Sequence, residues 1–408
     1  MIENDKYKWQ YTFFYNYLEQ LKLAGYTNKE ICKVAWKPYL IDDLKVMGED
    51  RDLDFHKVLL KPEEVDTYLQ KIPDTKISID EEFFRKRKTV ILLVPGFTHH
   101  TLKNLSLHEQ IENPKSPHQI IHFKFGKDGK TVEEKIYNEG QGLKIAYLAY
   151  PRANAHSSHV IEPLFRLIHE SKTIRRWAME ENQKFVFLGY SYGSPLSLEL
   201  LSALNQGKYK DEFILNSTKA FFSLCGDIGG SYLADYVIDE TSKYSIYRAL
   251  KLAKRSRLIA KVFGLKTKQD LEDIAEGARS LGHEERQKAL LDFSSKMPSN
   301  LKYFSISSFL PMEDYVNGLF RNFDDWSMYK QALASKDISI YNDGQVVLKD
   351  TIIPKFKNVP EGNIVNLGAV RTHHWGVSYK TFNFGNNKFP RVPFYHALIK
   401  TLFQAELS

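Results

Sequence analysis

Phe185-Val186-Phe187-Leu188-Gly189-Tyr190-Ser191-Tyr192-Gly193 decides how this chain is read. An apolar run ends in a glycine, a serine stands at the tip, and a second glycine closes the pentapeptide. Ser194 to Leu204 follows, with Leu196, Leu200 and Leu204 recurring at helical spacing. Strand, sharp turn and helix in that order predict a serine held in a strained conformation, ready to act as a nucleophile. The glycines have a physical reason, because such a turn leaves no room for side chains against its neighbours. The string Gly-x-Ser-x-Gly alone arises by coincidence in long chains; its setting carries the argument.

Similar apolar runs lie on either side. Thr89 to Val94 ends at Pro95-Gly96, Ile145 to Tyr150 ends at Pro151, and Ala220 to Cys225 ends at Gly226. Tyr303 to Phe309 and Ile364 to Leu367 complete the set. Helical patterns fall between them, at Val160 to Trp177 and Ser194 to Leu204, and a last amphipathic helix is expected over Val392 to Leu402. Buried strands alternating with helices predict an α/β fold, a mostly parallel sheet with helices on both faces. In such sheets chemistry gathers at the carboxyl ends of the strands, where Ser191 lies.

The expected organisation is a helical N-terminal extension over 1–88, a core over 89–231, a helical insertion over 232–300 and the rest of the core over 301–408. In the extension Trp9, Phe13, Tyr17 and Leu21 recur at helical spacing, which predicts a packing or capping element. The polar patch Lys124-Phe125-Gly126-Lys127-Asp128-Gly129-Lys130 predicts an extra hairpin or loop. Within the insertion, Thr241 to Gln269 holds nine Lys or Arg and no acid, with an apolar stripe at Leu258, Ile259, Val262 and Phe263. A helix of this kind either packs on the core with a solvated basic face, the preferred reading, or makes peripheral contact with an anionic membrane. A mobile helical flap over the site fits both readings.

A net charge of +7 on 408 residues is mild and gives no reason to expect nucleic acid. Cys32 and Cys225 supply neither a disulfide framework nor metal-ligand spacing. No metal and no cofactor are expected. No run approaches the roughly 18 apolar residues of a membrane span. The start, Met1-Ile2-Glu3-Asn4-Asp5, lacks the basic and apolar regions of a secretory signal, so a soluble and by default cytoplasmic protein is expected.

A serine hydroxyl is a poor nucleophile at neutral pH. It needs a histidine to take its proton and a carboxylate to orient that histidine. Asn342-Asp343-Gly344-Gln345-Val346 is a turn-type sequence after the 303–309 run, and His373-His374-Trp375-Gly376 follows the 364–367 run. His374 is preferred as the base because Gly376 permits a tight turn after it; His373 is the alternative. Asp343 has rivals in Asp227, just after the 220–225 run, and in Glu313 and Asp314. The oxyanion of an acyl-transfer intermediate calls for two backbone N–H donors. Tyr192, after the nucleophile, and Phe97, in the loop Pro95-Gly96-Phe97-Thr98, are the candidates. His99 and Tyr190 are candidate substrate contacts. His99, His100, His156 and His159 all fall in loops after strands and otherwise read as surface residues.

Together these patches resemble the α/β-hydrolase superfamily, and within it the bacterial true lipases that hydrolyse triacylglycerols. Val94-Pro95-Gly96-Phe97 is similar to that family's first strand end, and Gly189 to Gly193 to its nucleophile elbow. Ser223-Leu224-Cys225-Gly226 through Gly230-Ser231-Tyr232-Leu233-Ala234-Asp235 resembles its segment ending in Gly-Ser-x-x-Ala-Asp. Asp343 and then His374 match the order of its acid and base, so the resemblance favours Asp343 over its rivals. It also implies that the helices after Asp235 form a lid. The chain departs from the family pattern at Pro95, at Asp227-Ile228-Gly229 and at Trp375-Gly376; the last removes support for that family's structural calcium. The implied activity is hydrolysis of lipid or other apolar carboxylic esters. Acyl transfer or thioester cleavage on the same triad, or membrane-surface binding without catalysis, are the alternatives.

Overall fold

In the computed structural model the described residues are 7–41, 44, 51–71, 86–97, 118–239, 241–242, 268–318, 323–336, 338–378 and 389–407. The apolar runs become strands: β1 (Thr89–Val94), β2 (Gln119–Phe125), β3 (Val132–Glu139), β4 (Lys144–Ala149), β5 (Lys184–Tyr190), β6 (Thr218–Leu224), β7 (Lys302–Phe309) and β8 (Ile364–Arg371). They form one sheet in the order β3-β2-β4-β1-β5-β6-β7-β8. Every neighbouring pair is parallel except β2 with β3. This is the α/β architecture that the alternating pattern predicts.

The central strands read as continuous apolar runs because both of their faces are covered. In β1, Ile91 and Leu93 point into one core layer, while Val90, Leu92 and Val94 point into the other. The named helices are α1 (Lys8–Leu23), α2 (Ile161–His169), α3 (Lys172–Met179), α4 (Gly193–Asn205), α5 (Tyr232–Ile238), α6 (Lys268–Leu281), α7 (His283–Phe293), α8 (Phe323–Ser335) and α9 (Arg391–Leu407). Residues of α1 and α9 build the first layer, and residues of α2, α3, α4 and α7 build the second. The stretch expected as one helix over 160–177 is two, divided at Ser171, whose Oγ accepts the Ile174 N–H at 3.1 Å and caps α3.

The polar patch at 124–130 is the turn of the β2–β3 hairpin, and β2 then pairs in parallel with β4. β3, Val-Glu-Glu-Lys-Ile-Tyr-Asn-Glu, is mostly exposed and charged, as suits a sheet edge. The opposite edge is covered by the N-terminal extension. Ala35 bridges Val370 in antiparallel fashion, and the Arg371 N–H donates to Val34 O at 3.0 Å. Trp36 stacks on Phe309 with ring centroids 4.7 Å apart and donates from Nε1 to its carbonyl at 3.2 Å. Upstream, α1 lies on α9, with Asn16 Nδ2 donating to Thr401 Oγ1 at 2.9 Å and Lys400 paired with Glu19. The extension therefore completes one face and one edge of the sheet.

Removing the edge cover is costly on this account. Trp36→Ala is expected to lower stability by about 3–5 kcal/mol, the usual range for truncating a buried Trp. Urea unfolding of the full chain measures it; a loss under about 1 kcal/mol would show that the sheet edge does not depend on this contact.

Candidate active site

The turn between β5 and α4 is set by crowding. A Cβ on Gly189 would sit 2.5 Å from Ser194 Cα, and one on Gly193 would sit 2.0 Å from Val94 O. No side chain fits either place. Ser191, between them, takes φ 52°, a left-handed conformation that costs a non-glycine residue free energy. Ser194 Oγ donates to Gly189 O at 2.7 Å and ties the turn.

The structure brings together three residues far apart in sequence. Ser191 Oγ lies 2.9 Å from His374 Nε2, and His374 Nδ1 lies 2.7 Å from Asp343 Oδ2. Asp343 is fixed on all sides. Its Oδ1 accepts the N–H groups of Gln345 at 3.0 Å and Val346 at 2.8 Å, and its Oδ2 also accepts from Ser308 Oγ at 3.3 Å. A carboxylate held this way accepts the Nδ1 proton of His374, which leaves Nε2 as the acceptor facing the serine. The His374 N–H donates to Asp343 O at 2.8 Å, so the two loops are also joined through their backbones. Burial disfavours a charged imidazole here, but the Asp343 charge and hydrogen bond, with a smaller push from Asp227, outweigh it and raise the His374 pKa.

His373 faces elsewhere. Its Nε2 lies 2.9 Å from Asp325 Oδ1 on α8, and its Nδ1 accepts the Gly376 N–H at 3.1 Å. Asp314 makes a two-pronged pair with Arg371, at 2.8 and 3.1 Å, and Glu313 is exposed. Asp227 does lie in the site. Its Oδ2 lies 3.4 Å from Ser191 Oγ, whose proton faces His374, and its Oδ1 is buried with no hydrogen-bond partner among the described residues. Burial pushes its carboxyl up to about 6, and Asp343 adds to this, against the opposing pull of His374, Ser191 and Arg286. Two carboxylates therefore flank one imidazole and one serine.

Gly96 abuts Ser191: a Cβ there would meet Ser191 Cβ at 2.9 Å and Tyr190 O at 3.0 Å. Tyr150 donates to Pro95 O at 2.7 Å and fixes the same loop. The ring of Phe97, next along, packs edge-on against that of Tyr192 with centroids 6.0 Å apart. The N–H of Tyr192 stands at the N-terminus of α4, where the helix provides no acceptor and its dipole favours negative charge.

Tyr190 is buried beneath the histidine, with its hydroxyl donating to His374 O at 3.0 Å and its ring 5.3 Å from the imidazole. His156 caps a short turn through Ser158, and His159 stands 3.9 Å from Glu276 at the surface. His99, His100 and Thr98 lie outside the described residues.

The described helices of the insertion are bolted to the core. Arg152 grips Asp273 of α6 at 2.6 and 3.1 Å, and buried Arg286 of α7 pairs with Glu199 of α4. His283 of α7 lies 2.9 Å from Asp235 and 3.0 Å from Asp350. These contacts tie α6 and α7 to the core, and their long sequence separations left no local pattern to read. Most of the basic stretch 241–269 lies outside the described residues, at 243–267. Among the described residues, no helix is long and apolar enough to cross a membrane.

No protein-family model matches the sequence, and no curated protein matches it significantly. Solved structures do. The metagenomic carboxyl esterase MGS0156 superposes with a TM-score of 0.54 at 16% identity, over 82% of this chain and 80% of that one. EstA from Clostridium botulinum gives a TM-score of 0.45 at 14% identity, over 83% and 93% of the two chains. The mature Bacillus licheniformis lipase BlEst2 gives 0.42 at 14%, over 79% and 93%. The first of these similarities, with the sheet order above, shows that the chain has an α/β-hydrolase fold.

His283 supplies a test of the clasp. Partial burial opposes its charge, but Asp235 and Asp350 prevail and raise its pKa to about 9. A raised folded-state pKa stabilises fully below the unfolded value near 6.5 and loses that contribution as pH climbs through about 9. Thermal unfolding of wild type is therefore expected to weaken between those pH values, and His283→Gln to flatten that decline. Parallel pH curves for the two proteins would contradict the clasp.

Proposed function

We propose that this protein is a serine hydrolase that cleaves carboxylic esters, with Ser191, His374 and Asp343 as its catalytic triad. The observation that carries the reading is the unbroken hydrogen-bond chain from a left-handed serine at a strand–helix turn, through one imidazole, to a buried carboxylate. The carboxyl esterase of the same fold supports the choice of substrate class.

In this mechanism Ser191 Oγ attacks the acyl carbon while His374 Nε2 takes the serine proton. Asp343 stabilises the imidazolium that forms. The Phe97 and Tyr192 N–H groups hold the negative oxygen of the tetrahedral intermediate. The intermediate collapses, the ester C–O bond breaks, and His374 gives its proton to the departing alcohol. Water then attacks the acyl-enzyme, His374 takes one of its protons, and collapse releases the acid and returns the proton to Ser191. The substrate is a lipid or another apolar ester, in keeping with the resemblance to true lipases and with the basic, apolar-striped segment at 241–269.

Ser191→Ala is expected to lower kcat on nitrophenyl esters by at least about 10⁴-fold and to abolish labelling by a fluorophosphonate, with Asp343→Asn falling by about 10⁴ as well. Full activity in Ser191→Ala, or a wild type that never labels, would overturn the reading. A series of esters graded by chain length, with and without anionic liposomes, tests the substrate; turnover confined to short soluble esters would count against an apolar one.

The second carboxylate gives a pH prediction. His374 must be neutral to accept the serine proton, so its raised pKa places the acid limb of kcat/KM. Asp227, faced by Ser191, His374, Asp343 and Arg286, contributes to that rise. Asp227→Asn should move the acid limb to lower pH. A limb that stays in place or moves upward would show that Asp227 does not act on the imidazole.

A further inference from the structure

Helix α6 of the insertion touches both residues expected to donate to the oxyanion. One turn of its inner face carries the contacts. At Gly277 a Cβ would lie 2.1 Å from Asn154 O and 2.6 Å from Phe97 Cε2, so the helix backbone lies directly on the Phe97 ring and on the loop after β4. Three residues on, and so on the same face of the helix, Ser280 Oγ lies 3.0 Å from Tyr192 Oη.

The hydrogen bonds there run in one consistent direction. Tyr192 Oη donates to Ala155 O at 3.0 Å, so it accepts from Ser280, and Ser280 Oγ accepts the Ser157 N–H at 3.3 Å. The Tyr192 ring is fully buried and abuts the Phe97 ring, so Phe97 is held between Gly277 and Tyr192. One turn earlier the bidentate pair of Asp273 with Arg152 fixes α6 to the same loop. Tyr192 and Phe97 come from two different strand ends, after β5 and after β1. Among the contacts described, α6 is the element that meets both side chains.

We propose that α6 positions the two oxyanion donors, with Gly277 and Ser280 as its positioning residues, so that the insertion governs turnover through the placement of the Phe97 and Tyr192 N–H groups. This rests on the ester-hydrolase reading. Neither residue touches substrate; each acts through the side chain whose backbone does. The oxyanion develops only after attack, so misplaced donors slow the chemical step and leave ground-state binding largely intact.

The test is steady-state kinetics of the full chain on a nitrophenyl ester, with thermal unfolding to check the fold. Ser280→Ala and Tyr192→Phe should each lower kcat by about 3- to 10-fold with KM within about twofold, because each loosens a donor without deleting it. Their double variant should lose less than the two single losses combined, since both remove the Ser280–Tyr192 bond, while Tyr192→Phe also removes the bond to Ala155 and Ser280→Ala the one from Ser157. Gly277→Ala, which must push the helix off Asn154 and Phe97, should lose about 10- to 100-fold in kcat. Fluorophosphonate labelling rates should fall in step, because the phosphoryl oxygen takes the oxyanion's place.

Gln287→Ala, on α7, removes a 2.9 Å contact to Gly229 O away from Phe97 and Tyr192, and should leave kcat unchanged. Folded Ser280→Ala and Gly277→Ala variants with wild-type kcat would overturn the proposal. So would additive losses in the double variant, or an equal loss in Gln287→Ala. If Gly277→Ala fails to fold, the Ser280 and Tyr192 variants decide. A wild type without esterase activity would instead sink the hydrolase reading itself, a separable outcome.

Discussion

The hydrogen bond between Ser191 Oγ and His374 Nε2 joins residues 183 positions apart at 2.9 Å, and neither side chain has freedom to adjust it. The serine is placed by backbone, because two glycines with no space for a Cβ force the turn. The histidine is placed by its surroundings: Asp343 on its ring and its N–H, and Tyr190 on its carbonyl. Tyr190 ends the strand whose turn carries Ser191, so the elbow and the histidine loop brace each other. The sheet supplies the rest, since β5 and β8 are parallel and end on the same side.

Most of the fold was legible because its strands are buried on both faces, and such strands read as apolar runs whatever surrounds them. The β2–β3 pair was legible only as a hairpin or loop around 124–130, because edge strand β3 is under the opposite pressure and carries Glu133, Glu134 and Lys135. β2 buries Ile120 in one core layer and Ile121 and Phe123 in the other, but Gln119, His122 and Lys124 interrupt its apolar run. In the site, strand ends pointed to Ser191 and the paired histidines, whereas Asp343 stands far beyond β7 in a turn-type sequence and was favoured over its rivals by the family resemblance. Sequence could not choose between His373 and His374 on chemistry, because both are imidazoles on one turn. The geometry separates them by the partner each finds, Asp325 on α8 or Ser191. The clasps of the insertion were invisible, since Arg152 and Asp273 lie 121 positions apart and no periodicity links them.

Behind Ser191 the structure gathers more acid than the single carboxylate that His374 pairs with. Asp227 adds a second buried carboxyl, and Arg286 sits behind it, itself buried and paired with Glu199. Buried ion pairs of this kind contribute little net stability, but losing one partner leaves a stranded charge. Arg286 is carried by α7, so the insertion contributes charge near Asp227 and Ser191 as well as contacts to Phe97 and Tyr192.

The docking of α1 on α9 has a consequence for how the chain assembles. Asn16 and Thr401 are 385 positions apart, and Ala35 meets Val370 at the sheet edge. On the ribosome, the apolar face of α1, with Phe13, Phe14, Tyr17, Leu18 and Leu21, emerges long before the surface that will cover it. Nearly the whole sheet is synthesised while that face stays open to water or to other chains. Contacts of such range delay the final closure of the core and prolong the period in which sticky surface is available to wrong partners. The apolar face of α1 is thus the last part of this core to find its cover, and an α1 with fewer aromatics would trade native stability for a less adhesive nascent chain.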